Sequence, residues 1–277
     1  MIPVSFEYQN VKTIDEALAA LSANDSKLLA GGHSLLPAMK LRLSMPVKLV
    51  DISGIAELKG IVEKDGEIVI GAGTTHAEIL NHDLIKNKLS FFSEGASMIG
   101  DIQVRNHGTI GGSLAHADPA ADWGALVLAA DAILNVQGSK AKRQIKATDF
   151  FKGIFTTALT EDEIIVSIRV PVPAKGSRTS YQKFSQPASR FAIAACAVLG
   201  VPGEKINIAF TGVTDAPFRD KGAEAVLKGK DLNEAAIKSA QDAALSGVQA
   251  LSDHFASADY RLHMARVCLK KALQAVK

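Results

Sequence analysis

The stretch from Asp101 to Trp123, DIQVRNHGTIGGSLAHADPAADW, constrains the fold of this chain more than any other. At its centre lies Gly108-Thr109-Ile110-Gly111-Gly112-Ser113, small residues with two hydroxyls and a run of backbone N–H groups. Glycine tolerates positive φ and lets a ligand approach the main chain, so consecutive N–H groups can converge on an anion. A second turn of the same kind stands upstream, Ala30-Gly31-Gly32-His33-Ser34. Two such turns suit a diphosphate better than a single phosphate. The pair points to a cradle for the linker of a dinucleotide.

A length of 277 residues leaves room for a sizeable core and two domains. With 47% hydrophobic and 22% charged residues, the composition is that of an ordinary globular protein. A formal net charge of +2 gives no electrostatic case for nucleic acid or an anionic membrane. No apolar run approaches the ~18 residues of a membrane helix, and MIPVSFEYQN lacks a basic-then-apolar leader, so the cytoplasm is the expected location. Cys196 and Cys268 lie far apart without CxxC spacing, which argues against a disulfide framework or a cysteine-ligated zinc site. This chain cannot hold a four-cysteine iron–sulfur cluster by itself.

Taken in order, Thr13-Ile14-Asp15-Glu16 reads as a capping box opening a helix through Ile14, Ala17, Leu18 and Leu21. Strands are expected at 27–30 and 47–52, giving a β-α-β opening around the first glycine turn. Glu67–Gly71 reads as a strand and Thr75–Glu78 as a second capping box. The text GAGTTH between them imitates a Rossmann fingerprint but carries His76 where the third glycine should stand, so it reads as a tight strand-to-helix turn. Helices are expected over 89–99 and 125–130, with strands at 132–136 and 164–170. Pro171-Val172-Pro173 then interrupts regular structure. Beyond it come strands at 179–185, 192–201 and 205–213, and a helical pattern from Asn233. Leu262, Ala265, Leu269, Leu273 and Val276 make one apolar stripe on the last helix.

Several residues in the central stretch invite chemistry. His107, His116, Asp118 and Asp122 have the donor types of a zinc or iron site. The plainer reading is that they bond loop backbone or a cofactor's hydroxyls, and the interleaved glycines favour it. Arg105-Asn106 would either steer an anion or pin the loop. Ser34 and Ser113 are nucleophiles on paper, yet neither sits in GxSxG and no acid–base order marks a triad.

AGGHSLLPAMKLRL (Ala30–Leu43) and RNHGTIGGSLAHADPAADW (Arg105–Trp123) together resemble the FAD-binding medium subunit of molybdenum hydroxylases, the relatives of carbon monoxide and xanthine dehydrogenases. Tyr181-Gln182-Lys183-Phe184 and SADYRLHMARVCLKKAL (Ser257–Leu273) agree, so the resemblance runs through the chain in order. It implies an α+β fold. A two-lobed FAD-binding domain of the vanillyl-alcohol-oxidase (PCMH) type would occupy 1–175, with lobes of about 1–54 and 55–175. A small antiparallel sheet of three strands plus a helix bundle would follow over 176–277.

The resemblance also implies contacts. Ala30, Gly31, Gly32, His33, Ser34 and Leu35 on one turn, with Thr109, Ile110, Gly111, Gly112 and Ser113 on the other, would clasp the pyrophosphate. Asp122 would accept from a ribityl or ribose hydroxyl, and Ile165 would meet adenine or the ring edge through its backbone. Lys183 would sit near the polar edge of the isoalloxazine, where a cation stabilises the reduced, anionic ring. Where relatives often carry an acidic residue and then an aromatic, this chain has Ser189-Arg190-Phe191, and Gln186-Pro187 interrupts the same neighbourhood.

In such complexes substrate is oxidised at a molybdopterin centre on a large subunit. Electrons then cross [2Fe-2S] clusters on a small subunit and reach FAD. The implied role is an electron-transfer flavoprotein subunit within a dimer of heterotrimers. A self-sufficient flavin oxidase or reductase of the same fold, and a nucleotide-binding module without redox function, stand as alternatives.

Overall fold

The computed structural model describes residues 2–22 and 25–277. The N-terminal part contains β1 (Glu7–Asn10), α1 (Ile14–Leu21), β2 (Ser26–Leu29), α2 (Leu35–Lys40) and β3 (Lys48–Asp51). β3 lies in the middle, parallel to both neighbours. α1 begins where expected: the Thr13 hydroxyl accepts the Glu16 N–H at 3.1 Å, and the Glu16 carboxylate accepts the Lys12 N–H at 2.8 Å. Ile14, Ala17 and Leu18 then bury against Val50 and Ile55. The sequence gives no sign of β1, because all four of its residues are exposed and no period-two alternation marks it.

A short 3₁₀ turn, Ala56–Leu58, leads into the middle part of the chain. Its elements are β4 (Ile61–Lys64), β5 (Glu67–Gly71), α3 (His76–Asn81), α4 (Asp83–Lys88), α5 (Ser90–Met98), α6 (Ile102–His107), α7 (Ile110–His116) and α8 (Asp122–Ala129). β6 (Ile133–Gly138), β7 (Lys142–Lys146), α9 (Ala147–Phe150), β8 (Phe151–Gly153), β9 (Thr156–Thr157) and β10 (Glu163–Pro171) follow. Five strands form an antiparallel sheet in the order β4-β5-β10-β6-β7. All eight residues of α8 are buried, as an all-round apolar helix in a core should be. The central glycine segment departs from expectation, since Ile110–His116 is a helix and not a loop. Thr109 caps it, and burial of Ile110 and Leu114 holds it despite the poor helix propensity of Gly111-Gly112.

The last part has β11 (Arg178–Ser185), β12 (Ala192–Val201), β13 (Lys205–Thr211), β14 (Phe218–Arg219), α10 (Lys221–Leu227), α11 (Glu234–Ala243) and α12 (Ala258–Ala275). Its sheet runs β11-β12-β13-β14, so it has four strands and not three. The added strand is two residues long, too short for a periodic signal. β12 is covered on both faces. Ala195 and Ala197 pack into the core around Trp123, while Ala194, Cys196 and Val198 pack with Cys268, Leu269 and Leu273 of α12. Among the described residues, no helix is long and apolar enough to cross a membrane.

Candidate functional site

The first glycine turn, Ala30–Leu35, leaves the carboxyl end of β2, where parallel strands leave room for ligands. Gly32 adopts φ 73°, a conformation that glycine permits without strain. His33 Nδ1 lies 2.8 Å from the Gly31 carbonyl and fixes the bend. Among the described residues, the N–H groups of Gly31, Gly32, His33, Ser34 and Leu35 meet no protein acceptor. Ser34, the N-cap of α2, makes no capping bond. A row of unsatisfied donors at one bend is a place for an anion.

The second turn is built differently. Ile110 N–H donates to the Thr74 carbonyl at 3.1 Å and Gly111 N–H to the Ala72 carbonyl at 2.8 Å. Gly112 N–H donates to Thr109 Oγ1 at 3.1 Å, and Ser113 N–H to the Thr109 carbonyl at 3.0 Å. The row of open amides expected over 110–113 is therefore engaged within the protein. Ile110 points into the core, fully buried. Only the Thr109 N–H of this turn finds no acceptor among the described residues.

The two turns touch. A methyl group on Gly31 would overlap the His107 carbonyl oxygen and come within 2.8 Å of Gly108 Cα. The His33 and His107 rings stack above the contact, with centroids 5.5 Å apart and planes 15° from parallel. Together the turns wall a cleft of about 980 Å³, at the upper end of the ~300–1,000 Å³ of small-molecule sites. Asp122, Ile165, His116, Asp118 and Ser189-Arg190-Phe191 also line it. Of the residues expected at the site, Ile110 and Lys183 do not.

Lys183 is instead buried behind Asp122, with no exposed side chain, and its Nζ lies 2.7 Å from Asp122 Oδ1. It also donates to the Met98 carbonyl at 3.2 Å. Tyr181, two residues earlier on the same face of β11, donates its hydroxyl to Asp122 Oδ1 at 2.6 Å. Burial pushes the Asp122 carboxyl up, against the pull of the Lys183 charge and of both hydrogen bonds. Burial, then the Asp122 charge, raises the Tyr181 hydroxyl well above its ordinary value. An isolated carboxylate here would be costly, so the buried ammonium is what allows it. A carboxylate has about four lone-pair sites, which leaves Asp122 able to accept one further hydroxyl from the cleft.

Other residues take structural roles. Arg105 pins the loop before α6, donating to the carbonyls of Ile99 at 2.9 Å and Gly100 at 3.1 Å. His116 packs against Phe155, ring centroids 4.9 Å apart. Among the described residues, no group of three or more His, Cys, Asp or Glu stands close enough to hold a metal ion. Tyr181, His76 and Trp123 carry weight at this site that the sequence reading missed. For Tyr181 the signal was present, since strand alternation puts it beside Lys183.

Residues 4–173 match the family model described as FAD binding domain in molybdopterin dehydrogenase. Residues 179–276 match that of the CO dehydrogenase flavoprotein C-terminal domain. The carbon monoxide dehydrogenase medium chain of Hydrogenophaga pseudoflava is 41% identical over 281 aligned positions, covering 99% of this chain and 98% of that protein. The glyceraldehyde dehydrogenase medium chain of Sulfolobus acidocaldarius is 37% identical, with full coverage of both. The solved carbon monoxide dehydrogenase from H. pseudoflava that lacks the Mo-pyranopterin moiety of its cofactor contains a chain that superposes with a TM-score of 0.96. That match has 41% identity and covers 100% of this chain and 98% of that one. The chain belongs to the family of FAD-binding medium subunits of molybdenum hydroxylases, and as such is an oxidoreductase flavoprotein subunit.

Proposed function

We propose that the chain holds FAD in the cleft between its two glycine turns. In this role it relays electrons from iron–sulfur clusters on a small partner subunit to a terminal acceptor. The observation that carries this reading is the contact of Gly31 with His107-Gly108, beside five N–H groups of one cleft that meet no acceptor among the described residues. When bound, FAD supplies the redox chemistry, taking electrons singly and releasing them in pairs.

The residues present fit that ligand. Gly31 to Leu35 would donate N–H groups to the pyrophosphate, with Ala30 leading into the bend. Thr109 would add one N–H, and Gly111, Gly112 and Ser113 would shape the opposite wall around the buried Ile110. Asp122 would accept from a ribityl or ribose hydroxyl. Lys183 would act through Asp122, holding it ionised and aimed at the cleft, and Ile165 would meet adenine or the ring edge. We place the division of the chain at 175, with lobes of about 1–54 and 55–175. The proline-bounded segment there and the two separate family matches support it.

The same reading puts substrate oxidation on a large molybdopterin subunit, within a dimer of heterotrimers. Titration of the purified apo chain with FAD tests it: noncovalent uptake and a flavin spectrum are expected. A chain that stays colourless in excess FAD overturns it.

A further inference from the structure

His76 stands at the start of α3, directly behind the second glycine turn, with 4% of its surface exposed. Its N–H donates to the Gly108 carbonyl at 3.0 Å. Its Nδ1 lies 3.1 Å from the indole Nε1 of Trp123. An indole nitrogen only donates, so Nδ1 must accept, and the imidazole carries its single proton on Nε2. Nothing in the described residues accepts that proton. His76 is one of the residues lining the cleft. Its Nε2 lies 2.7 Å from where a Cβ on Gly108 would sit, beside the junction with Gly31. A donor with a fixed tautomer and no protein acceptor among the described residues, on a ring that lines the cleft, stands where the two turns meet.

We propose that His76 is a further holder of the dinucleotide, donating its Nε2–H to an oxygen of the diphosphate linker. The proposal rests on the FAD reading and deepens it. The linker is the target because Gly108 touches the turn whose open amides would hold it. The contact is made by a neutral ring: burial, then the charges of His33 and Arg105, push His76 down to about 3. It therefore contributes directed hydrogen bonding without burying a cation. Trp123 is the positioning residue, since its indole fixes which ring nitrogen bears the proton.

The test uses the full chain, titrated with FAD, ADP and riboflavin. His76→Leu should weaken FAD and ADP by about tenfold, the size of a lost hydrogen bond to a charged group, and leave riboflavin unchanged. His76→Gln, which keeps an N–H donor, should recover part of the loss. Unchanged affinity of His76→Leu for FAD and ADP overturns the proposal, and so does an equal loss for all three ligands, which marks general loosening. Should His76→Leu not fold, the wild-type chain with ¹⁵N-labelled histidine decides. Saturating ADP should move the His76 Nε2 proton signal and leave Nδ1 unprotonated, and an unmoved signal sinks the idea. A wild type that binds FAD beside an indifferent His76→Leu removes only this proposal. A wild type that binds neither FAD nor ADP removes the FAD reading with it.

Discussion

From Gly31 to Leu35, five successive N–H groups meet no protein acceptor among the described residues, whereas from Ile110 to Ser113 every N–H has one. The two turns carry nearly the same small residues and touch each other through Gly31 and Gly108. Their difference lies in what stands behind them. The second turn is backed by the Ala72–His76 segment, whose carbonyls at Ala72 and Thr74 accept its amides. The first leads from a short strand into a two-turn helix and has no such backing. The protein itself satisfies the amides of one turn and leaves those of the other open among the described residues. A cradle of this kind needs a rigid wall and a receptive wall, and a symmetrical pair of open nests would lack the first.

The largest test of that asymmetry is acid. His76 titrates near 3 in the folded chain but near 6.5 when unfolded, so the unfolded chain takes up the proton first as pH falls. Its contribution to stability is complete above pH 6.5. It drains by about 1.4 kcal/mol per pH unit from there to about pH 3, roughly 5 kcal/mol in all. Urea midpoints measured across this range should show a slope that His76→Leu flattens. Equal slopes in both proteins would remove His76 from the rigid wall.

Hydrogen exchange separates the turns directly. Amides of 110–113 should be protected in the apo chain, and those of 31–35 should not. FAD at a hundred times its dissociation constant should slow the latter about a hundredfold, the ~2.7 kcal/mol of a saturating ligand. Protection of both turns before FAD is added would erase the contrast.

Substitutions give the smaller effects. A Cβ on Gly111 would lie 2.7 Å from the Ala72 carbonyl oxygen, so Gly111→Ala should cost about 1–3 kcal/mol of apo stability in chemical denaturation. FAD affinity of the folded variant should change little. Thr109→Ala removes the cap on α7 and should cost about 1 kcal/mol, read as a lowered Tm. A variant at Gly111 that folds normally but loses FAD would reverse the roles assigned to the two walls.

Much of this could be read from the chain alone. The capping box at Thr75 and Glu78 is present as expected, with the Thr75 N–H donating to Glu78 at 2.7 Å. The continuous apolar run of β12, the stripe on α12 and the family were legible too, because each rests on near neighbours or on a long continuous pattern. What escaped depends on distant partners. The amides of 110 and 111 are satisfied by residues some forty positions earlier, and Lys183 meets Asp122 across 61 positions. Glycines at 111 and 112 read as a loop because local propensity is blind to the core that holds Ile110 and Leu114.

The triad of Asp122, Tyr181 and Lys183 joins residues from either side of the proline break. An N-terminal fragment severed near residue 175 would inherit a naked carboxylate in its interior, and the C-terminal remnant a stranded ammonium. Gene fusion or exchange of halves between relatives should thus succeed only when donor and recipient agree at these three positions.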